Sequence, residues 1–193
     1  MPRLFTALRL PPDISLRLED LRGGLSGARW IDPENYHMTL NFFGNVDRHT
    51  ANDLDAALAS IDRAKFELTI DRLDVFGNSK PHALFAAISP TPALMELQAE
   101  ISWIAKRLSI QPDKRKFIPH VTLARLNGTS TFEAAKYLAL RGGHTSAPFD
   151  VSEFQLLSSK ASMGGGPYIT ERHYPFRSYE GLWDTAAEAG YWS

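Results

Sequence analysis

The sequence predicts an α+β fold in which two similar lobes of antiparallel strands and helices enclose a central cleft. Two observations carry this. Strand-like segments often follow one another directly (66–73 then 83–88, 149–158 then 168–176) instead of alternating steadily with helices, which disfavours a doubly wound parallel sheet. Part of the chain also recurs: His37-Met38-Thr39-Leu40 returns as His120-Val121-Thr122-Leu123, an offset of 120 − 37 = 83 residues.

Each element follows from local chemistry. Residues 4–10 read as a short apolar strand, stopped by Pro11-Pro12-Asp13, which opens a helix carrying Ile14, Leu16, Leu18, Leu21 and Leu25 as a loose stripe and ended by Gly23-Gly24. Trp30-Ile31 is extended, and Asp32-Pro33-Glu34-Asn35 is turn chemistry. Residues 37–43 form a strand ended by Gly44-Asn45. Thr50 with Asp53 resembles a capping pair for a helix with Leu54, Leu58 and Ile61. Residues 66–73 alternate apolar and polar as a half-buried strand, and 83–88 form another. Leu94, Leu97, Ile101, Ile104 and Leu108, spaced by threes and fours, mark the clearest helix, over 92–108. Residues 120–126 are a strand, Ser130 with Glu133 caps a helix to about residue 140, and 149–158 pairs with 168–176 around Gly164-Gly165-Gly166. The tail after Tyr179 has no firm reading.

The repeat extends beyond the two tetrapeptides. Each copy is followed by a turn (Gly44-Asn45, Asn127-Gly128), a capped helix and a strand that opens Phe-acidic-aliphatic-hydroxyl. That strand starts at Phe66 and at Phe149, and 149 − 66 is again 83. Residues i and i+2 of a strand share a face. His37 and Thr39 therefore point one way and Met38 and Leu40 the other, and His120 with Thr122 opposes Val121 with Leu123. Two lobes packed about a pseudo-two-fold axis would bring both polar faces into one cleft, each imidazole beside a hydroxyl.

That constellation suits acid-base chemistry at phosphorus. With an ordinary pKa near ~6.5, one histidine is neutral and the other protonated near neutral pH. The neutral ring takes a proton from attacking water, and the charged ring gives one to the departing oxygen. The two hydroxyls donate hydrogen bonds to the non-bridging oxygens. A lone H-x-T in a strand is a weak signal; two copies in one register are a strong one.

Composition sets the bounds. The chain has 193 residues, 44% hydrophobic and 22% charged, as an ordinary globular protein does. At about 150 residues per domain, this length is read as a single bilobal catalytic domain over 1–193. The absence of cysteine excludes disulfides, thiolate catalysis and Cys-based metal sites, and fits a reducing compartment. Lys plus Arg is 21 against 22 Asp plus Glu, which argues against bulk binding of duplex nucleic acid but leaves room for a local basic pocket. No signal-like segment opens the chain, and no run approaches the roughly 20 apolar residues of a membrane helix, so the expected location is the cytoplasm.

At the two H-x-T strands the sequence resembles the two-histidine phosphoesterases, and among them the RNA 2′,3′-cyclic phosphodiesterases, also called 2′-5′ RNA ligases. Flanking pieces match as well: Arg3-Leu4-Phe5-Thr6-Ala7-Leu8, Arg29-Trp30-Ile31, Asn41-Phe42-Phe43-Gly44, and Pro119 through Arg125. The resemblance covers roughly residues 3 to 176. It implies a bilobal fold with a water-filled cleft and hydrolysis of a 2′,3′-cyclic phosphate to a 2′-phosphate, with no cofactor and no metal. By motif position, His37 is the proton donor to the 3′ oxygen and His120 the base that activates water. Thr39 and Thr122 match the phosphate-binding hydroxyls, and Arg125 matches an arginine that contacts phosphate in some relatives. The expected partners are RNA 3′ ends or nucleotides bearing the cyclic phosphate, for a monomer with no protein partner and no membrane. The alternatives are joining of RNA through a 2′-5′ linkage, action on a small cyclic nucleotide, and a non-catalytic RNA-end binder.

Strict alternation sets two expectations that geometry must decide. Arg125 falls on the face opposite His120 and Thr122, and needs a twist, a bulge or the strand end to bring it round. Phe43 has the parity of His37 and is the candidate aromatic in the cleft, whereas Phe42 and Met38 belong to the core. Lys114-Arg115-Lys116 precedes the second motif as a candidate RNA-attracting rim. His49, His82, His144 and His173 read as surface or turn residues, with no pair at metal-ligand spacing. Gly164-Gly165-Gly166 lacks the Lys-Ser or Lys-Thr of a P-loop and reads as a hairpin.

Overall fold

The structure is a computed structural model that describes residues 3–111, 115–159 and 166–178. Lys114, Gly164, Gly165 and the tail from Tyr179 onward lie outside the described residues. In chain order the elements are β1 (Arg3–Arg9), α1 (Pro12–Glu19), β2 (Ala28–Trp30), a 3-10 turn (Pro33–Asn35), β3 (His37–Asn45), α2 (Arg48–Ala59), β4 (Phe66–Leu68), β5 (Ile70–Phe76), β6 (Ala83–Ile88), α3 (Pro92–Arg107), β7 (His120–Leu126), α4 (Thr131–Arg141), β8 (Phe149–Val151), β9 (Glu153–Ser159) and β10 (Tyr168–Pro175).

The strands form two antiparallel four-stranded sheets, in the orders β10-β9-β1-β3 and β2-β7-β6-β5, and β4 pairs with β8. The 83-residue register holds through the fold: β4 maps onto β8 and β5 onto β9 residue for residue. The copies nevertheless do not build one sheet each. The first copy supplies β3 to one sheet and β5 to the other, and the second supplies β7 and β9 the opposite way round. The pseudo-two-fold axis passes through the β4–β8 pair. There Glu67 faces Asp150, its own counterpart at 150 − 67 = 83, between the equivalent pairs Phe66–Val151 and Leu68–Phe149. Residues 66–73 are therefore two strands, broken at Thr69, because β4 pairs across the axis while β5 joins β6.

Amphipathic patterning places the core. Met38 and Leu40 on β3, Val121 and Leu123 on β7, and Leu94, Leu97, Ile101 and Ile104 of α3 are all buried in one cluster. Each apolar side chain fully buried there contributes about 1.5–3 kcal/mol. α4 starts with a reciprocal capping box between Ser130 and Glu133. At α2 the expected Thr50–Asp53 pair is not the cap. The helix begins earlier, at Arg48, and the Asp47 carboxylate accepts from the backbone N–H groups of His49 (2.9 Å) and Thr50 (3.1 Å), with the Thr50 hydroxyl donating back at 2.7 Å. No helix among the described residues is long and apolar enough to cross a membrane.

Candidate active site

β3 and β7 are in contact, and their polar faces open into one cavity of about 830 Å³. His37, Thr39, His120, Thr122 and Arg125 all line it. The lining also carries Arg3, Arg115 and Lys116, and among the described lining residues none is Asp or Glu. A chain of net charge −1 thus holds a cavity whose described charged lining is positive throughout.

The two histidines are held alike. His37 Nδ1 lies 2.8 Å from the carbonyl oxygen of Asn35, and His120 Nδ1 lies 2.6 Å from that of Ile118, each two residues upstream. A carbonyl only accepts, so both Nδ1 atoms carry the proton and both Nε2 atoms are left for what enters the cavity. Aromatic rings wedge each imidazole. Phe5 and Tyr168 lie 5.3 and 4.8 Å from the His37 ring centre, and Phe76 and Phe85 lie 4.9 and 5.5 Å from that of His120. This packing fixes the rings before substrate arrives.

Burial lowers the pKa of His37 to about 4, aided by the charges of Arg9, His120 and Arg125 and opposed by the Asn35 carbonyl. Burial likewise lowers that of His120, aided by Arg125 and Arg115 and opposed by the Ile118 carbonyl. Burial thus disfavours the charged form of both rings in the free protein, whereas the acid role needs one of them protonated.

Two β-bulges decide which neighbours join the histidines. On β7, Thr122 faces Phe85 and Ala124 faces Leu84, so Leu123 is an extra residue. The bulge shifts the alternation by one and turns Arg125 onto the face of His120 and Thr122. On β3, Thr39 faces Ala7 and Asn41 faces Thr6, so Leu40 is extra. The same shift puts Phe42 in the cavity and Phe43 in the core, where it is 6% exposed. The expectation for Phe43 is thereby overturned and that for Phe42 reversed. Strict alternation cannot see a bulge, because the partner strand sets it.

Other lining residues escape sequence reasoning. His82 lies on the cavity wall rather than merely in a turn, its ring stacked on Phe76 with centres 6.2 Å apart. Gly77 makes room for it: at φ +93° a Cβ there would lie 2.6 Å from His82 Nδ1. Tyr168 comes from β10, far along the chain, and Asn41, Gln98 and Ser102 form a neutral stretch of wall. No motif marks any of these. Trp30 packs on Tyr137, with ring centres 6.2 Å apart, and is not among the cavity-lining residues. His49 pairs with Asp53 and His173 with Glu153, and neither lines the cavity, nor does His144.

A family model for the 2′-5′ RNA ligase superfamily matches residues 10–162. The RNA 2′,3′-cyclic phosphodiesterase of Aeropyrum pernix is 29% identical over 161 residues, 80% of this chain and 92% of that protein. The enzyme of the same name from Bacillus subtilis is 28% identical over 142 residues, 72% of each chain. Among solved structures, TT0787 of Thermus thermophilus superposes with a TM-score of 0.77 at 21% identity, covering 92% of this chain and 99% of that one. Escherichia coli LigT superposes with 0.73 at 23% identity, covering 91% and 98%. At such identities the two structures establish the fold.

Proposed function

The chain belongs to the 2′-5′ RNA ligase superfamily, and from that premise we propose that it hydrolyses RNA 2′,3′-cyclic phosphate ends as an RNA 2′,3′-cyclic phosphodiesterase, with His37 and His120 as its acid and base. The observation that carries the reading is that both H-x-T faces open into one cavity walled by cations and free of carboxylates among its described residues. The Aeropyrum and Bacillus proteins carry the name of the same activity. The Escherichia coli relative has been crystallised with 3′-AMP.

In this reading the cyclic phosphate sits between the rings. Water attacks phosphorus as His120 Nε2 takes its proton; the new P–O bond forms as the bond to the 3′ oxygen breaks, and His37 Nε2 protonates that oxygen. The phosphate remains on the 2′ oxygen. Thr39, Thr122 and Arg125 hold the non-bridging oxygens, and a guanidinium is suited to doing so through paired donors. The anionic phosphate raises the proton affinity of the buried His37 ring as it binds, which favours the charged form that the acid role needs. No step is routed through a metal.

The test is to treat an oligonucleotide ending in a 2′,3′-cyclic phosphate with metal-stripped protein in EDTA, and to compare the product with authentic 2′- and 3′-phosphate standards. A 2′-phosphate is expected. A 3′-phosphate would reverse the substrate's orientation between the histidines. Tight binding without turnover would make the protein an RNA-end binder.

A further inference from the structure

Arg9 stands beside His37 without lining the cavity. The two are partners in the β1–β3 register, and Arg9 is not among the described lining residues. Its Nη1 donates to the carbonyl of Glu34, and its Nε donates to Oε1 of Gln155 at 3.4 Å. Gln155 is buried and anchored in turn: its Nε2 donates to the Glu153 carboxylate at 2.6 Å, and the Thr170 hydroxyl donates to its Oε1 at 3.3 Å. Arg9 thus ties the turn that precedes β3 to β9, the strand on the other side of β1.

That turn carries the carbonyl that orients the histidine. Glu34 and Asn35 are consecutive in the 3-10 turn Pro33–Asn35, and the Asn35 oxygen lies 2.8 Å from His37 Nδ1. Peptide groups are planar, so only two soft dihedrals separate the Glu34 carbonyl from that of Asn35. Holding the first restrains the second. A carbonyl only accepts, and in this place it selects the Nδ1–H form of the ring and leaves Nε2 for the cavity.

The internal repeat supplies the comparison. The counterparts of Asn35 and Tyr36 are Ile118 and Pro119, each at an offset of 83. A proline restricts the residue before it to extended backbone, so Pro119 itself aims the Ile118 carbonyl that lies 2.6 Å from His120 Nδ1. The Pro119 carbonyl is also tied, accepting from the Ile88 N–H at 3.0 Å. The residue that faces His120 across β6–β7, in the place that Arg9 takes beside His37, is Ala87, whose side chain has no donor. Where proline sets the turn, the facing place holds a methyl group. Where Tyr36 replaces the proline, the facing place holds a guanidinium bonded to the turn.

We infer that Arg9 is a positioning residue for His37: its guanidinium holds the Glu34–Asn35 turn so that the Asn35 carbonyl keeps a proton on Nδ1 and Nε2 aimed into the cavity. The inference rests on the cyclic phosphodiesterase reading for the role of His37 as acid, and on the hydrogen bonds alone for the orientation of its ring.

Arg9→Met, which removes every donor, and Arg9→Lys, which keeps one but lacks the fork that reaches two acceptors, test it together. Nitrogen-15 NMR of the histidine rings at about pH 8, where ordinary imidazoles are neutral, reads the tautomers. Wild type should show Nδ1–H at both His37 and His120. Arg9→Met should move His37 toward the Nε2–H form and leave His120 unchanged, and Arg9→Lys should recover part of the wild-type state. On an oligonucleotide ending in a 2′,3′-cyclic phosphate, Arg9→Met should lower kcat about 10- to 100-fold, as a misaimed catalytic group does, with KM within about twofold. An Arg9→Met protein with the wild-type His37 tautomer and wild-type kcat would overturn the inference. So would equal changes at both rings, which would mark a general loosening of the fold. If wild type does not hydrolyse the cyclic phosphate, the phosphodiesterase reading fails separately, and the ring spectra still decide the role of Arg9.

Discussion

Phe42 and Arg125 occupy the same place in the two copies of the repeat, 125 − 42 = 83, each five residues beyond its histidine and each turned into the cavity by a one-residue bulge. The scaffold is symmetric, and the side chains at this place are not. One place holds an aromatic ring, with the Arg3 guanidinium 5.5 Å from its centre, and its counterpart holds an arginine. This asymmetry gives a two-fold frame a direction.

Arg125→Ala should therefore lower kcat/KM about 10- to 100-fold, the worth of a charge-assisted hydrogen bond to phosphate. Arg125→Lys should recover only part, because an ammonium lacks the paired donors. Steady-state kinetics on a cyclic-phosphate oligonucleotide measures both, and an Arg125→Ala enzyme with wild-type kinetics would remove Arg125 from the site.

His37→Ala and His120→Ala should each lower kcat about 10²–10⁴-fold, the usual worth of a positioned acid or base. Thr39→Ala and Thr122→Ala should cost less, each removing one of several phosphate hydrogen bonds. Near-normal turnover by the His37→Ala, His120→Ala double mutant would place the chemistry elsewhere.

The pH dependence follows from burial. Both ring pKa values are lowered, that of His37 to about 4, so the bell in kcat/KM, which reads the free protein, should centre below pH ~6.5. The kcat bell should lie at higher pH, because the bound anion favours the imidazolium. Arg9 pairs with His37 across β1–β3, while the residue facing His120 is Ala87. Arg9→Gln removes a charge that disfavours the His37 imidazolium, so the acid limb should move to higher pH. Ring titration of His37 by NMR checks the same shift without substrate. The sign for stability is fixed too. A ring whose folded-state value lies below its unfolded one contributes fully above pH ~6.5, and that contribution is lost as pH falls through about 4. Melting temperature should then drop less between pH 7 and 4.5 for His37→Gln than for wild type.

Gly77→Ala should destabilise the fold and disturb the His82 wall. At φ +93° the new Cβ would stand 2.1 Å from the Lys80 carbonyl oxygen as well as close to the His82 ring. Gly24, at φ +71° with nothing within 4 Å, is the comparison. Its alanine variant should cost only the left-handed backbone penalty of about 1–2 kcal/mol, and Gly77→Ala should cost more. Thermal melts rank the two; equal losses would mean that the Gly77 contact relaxes freely.

Local patterning was enough to place the strand starts at His37 and His120, the capping box at Ser130, the helix under Leu94 to Ile104, and the pairing of one imidazole with one hydroxyl on each polar face. These rest on periods of two and 3.6 and on hydrogen bonds across three residues, so they act within the segment that encodes them. The 83-residue repeat was equally legible, because it is a comparison of residue types. Packing across the chain set the rest: β5 and β9 change places between the sheets, Phe42 and not Phe43 lines the cavity, Arg125 comes round to His120, and His82, Tyr168 and Asn41 join the wall. Each depends on a partner strand or helix distant in sequence. Leu40 and Leu123 bulge because β1 and β6 pair around them, and one unpaired residue reverses the face of every residue beyond it.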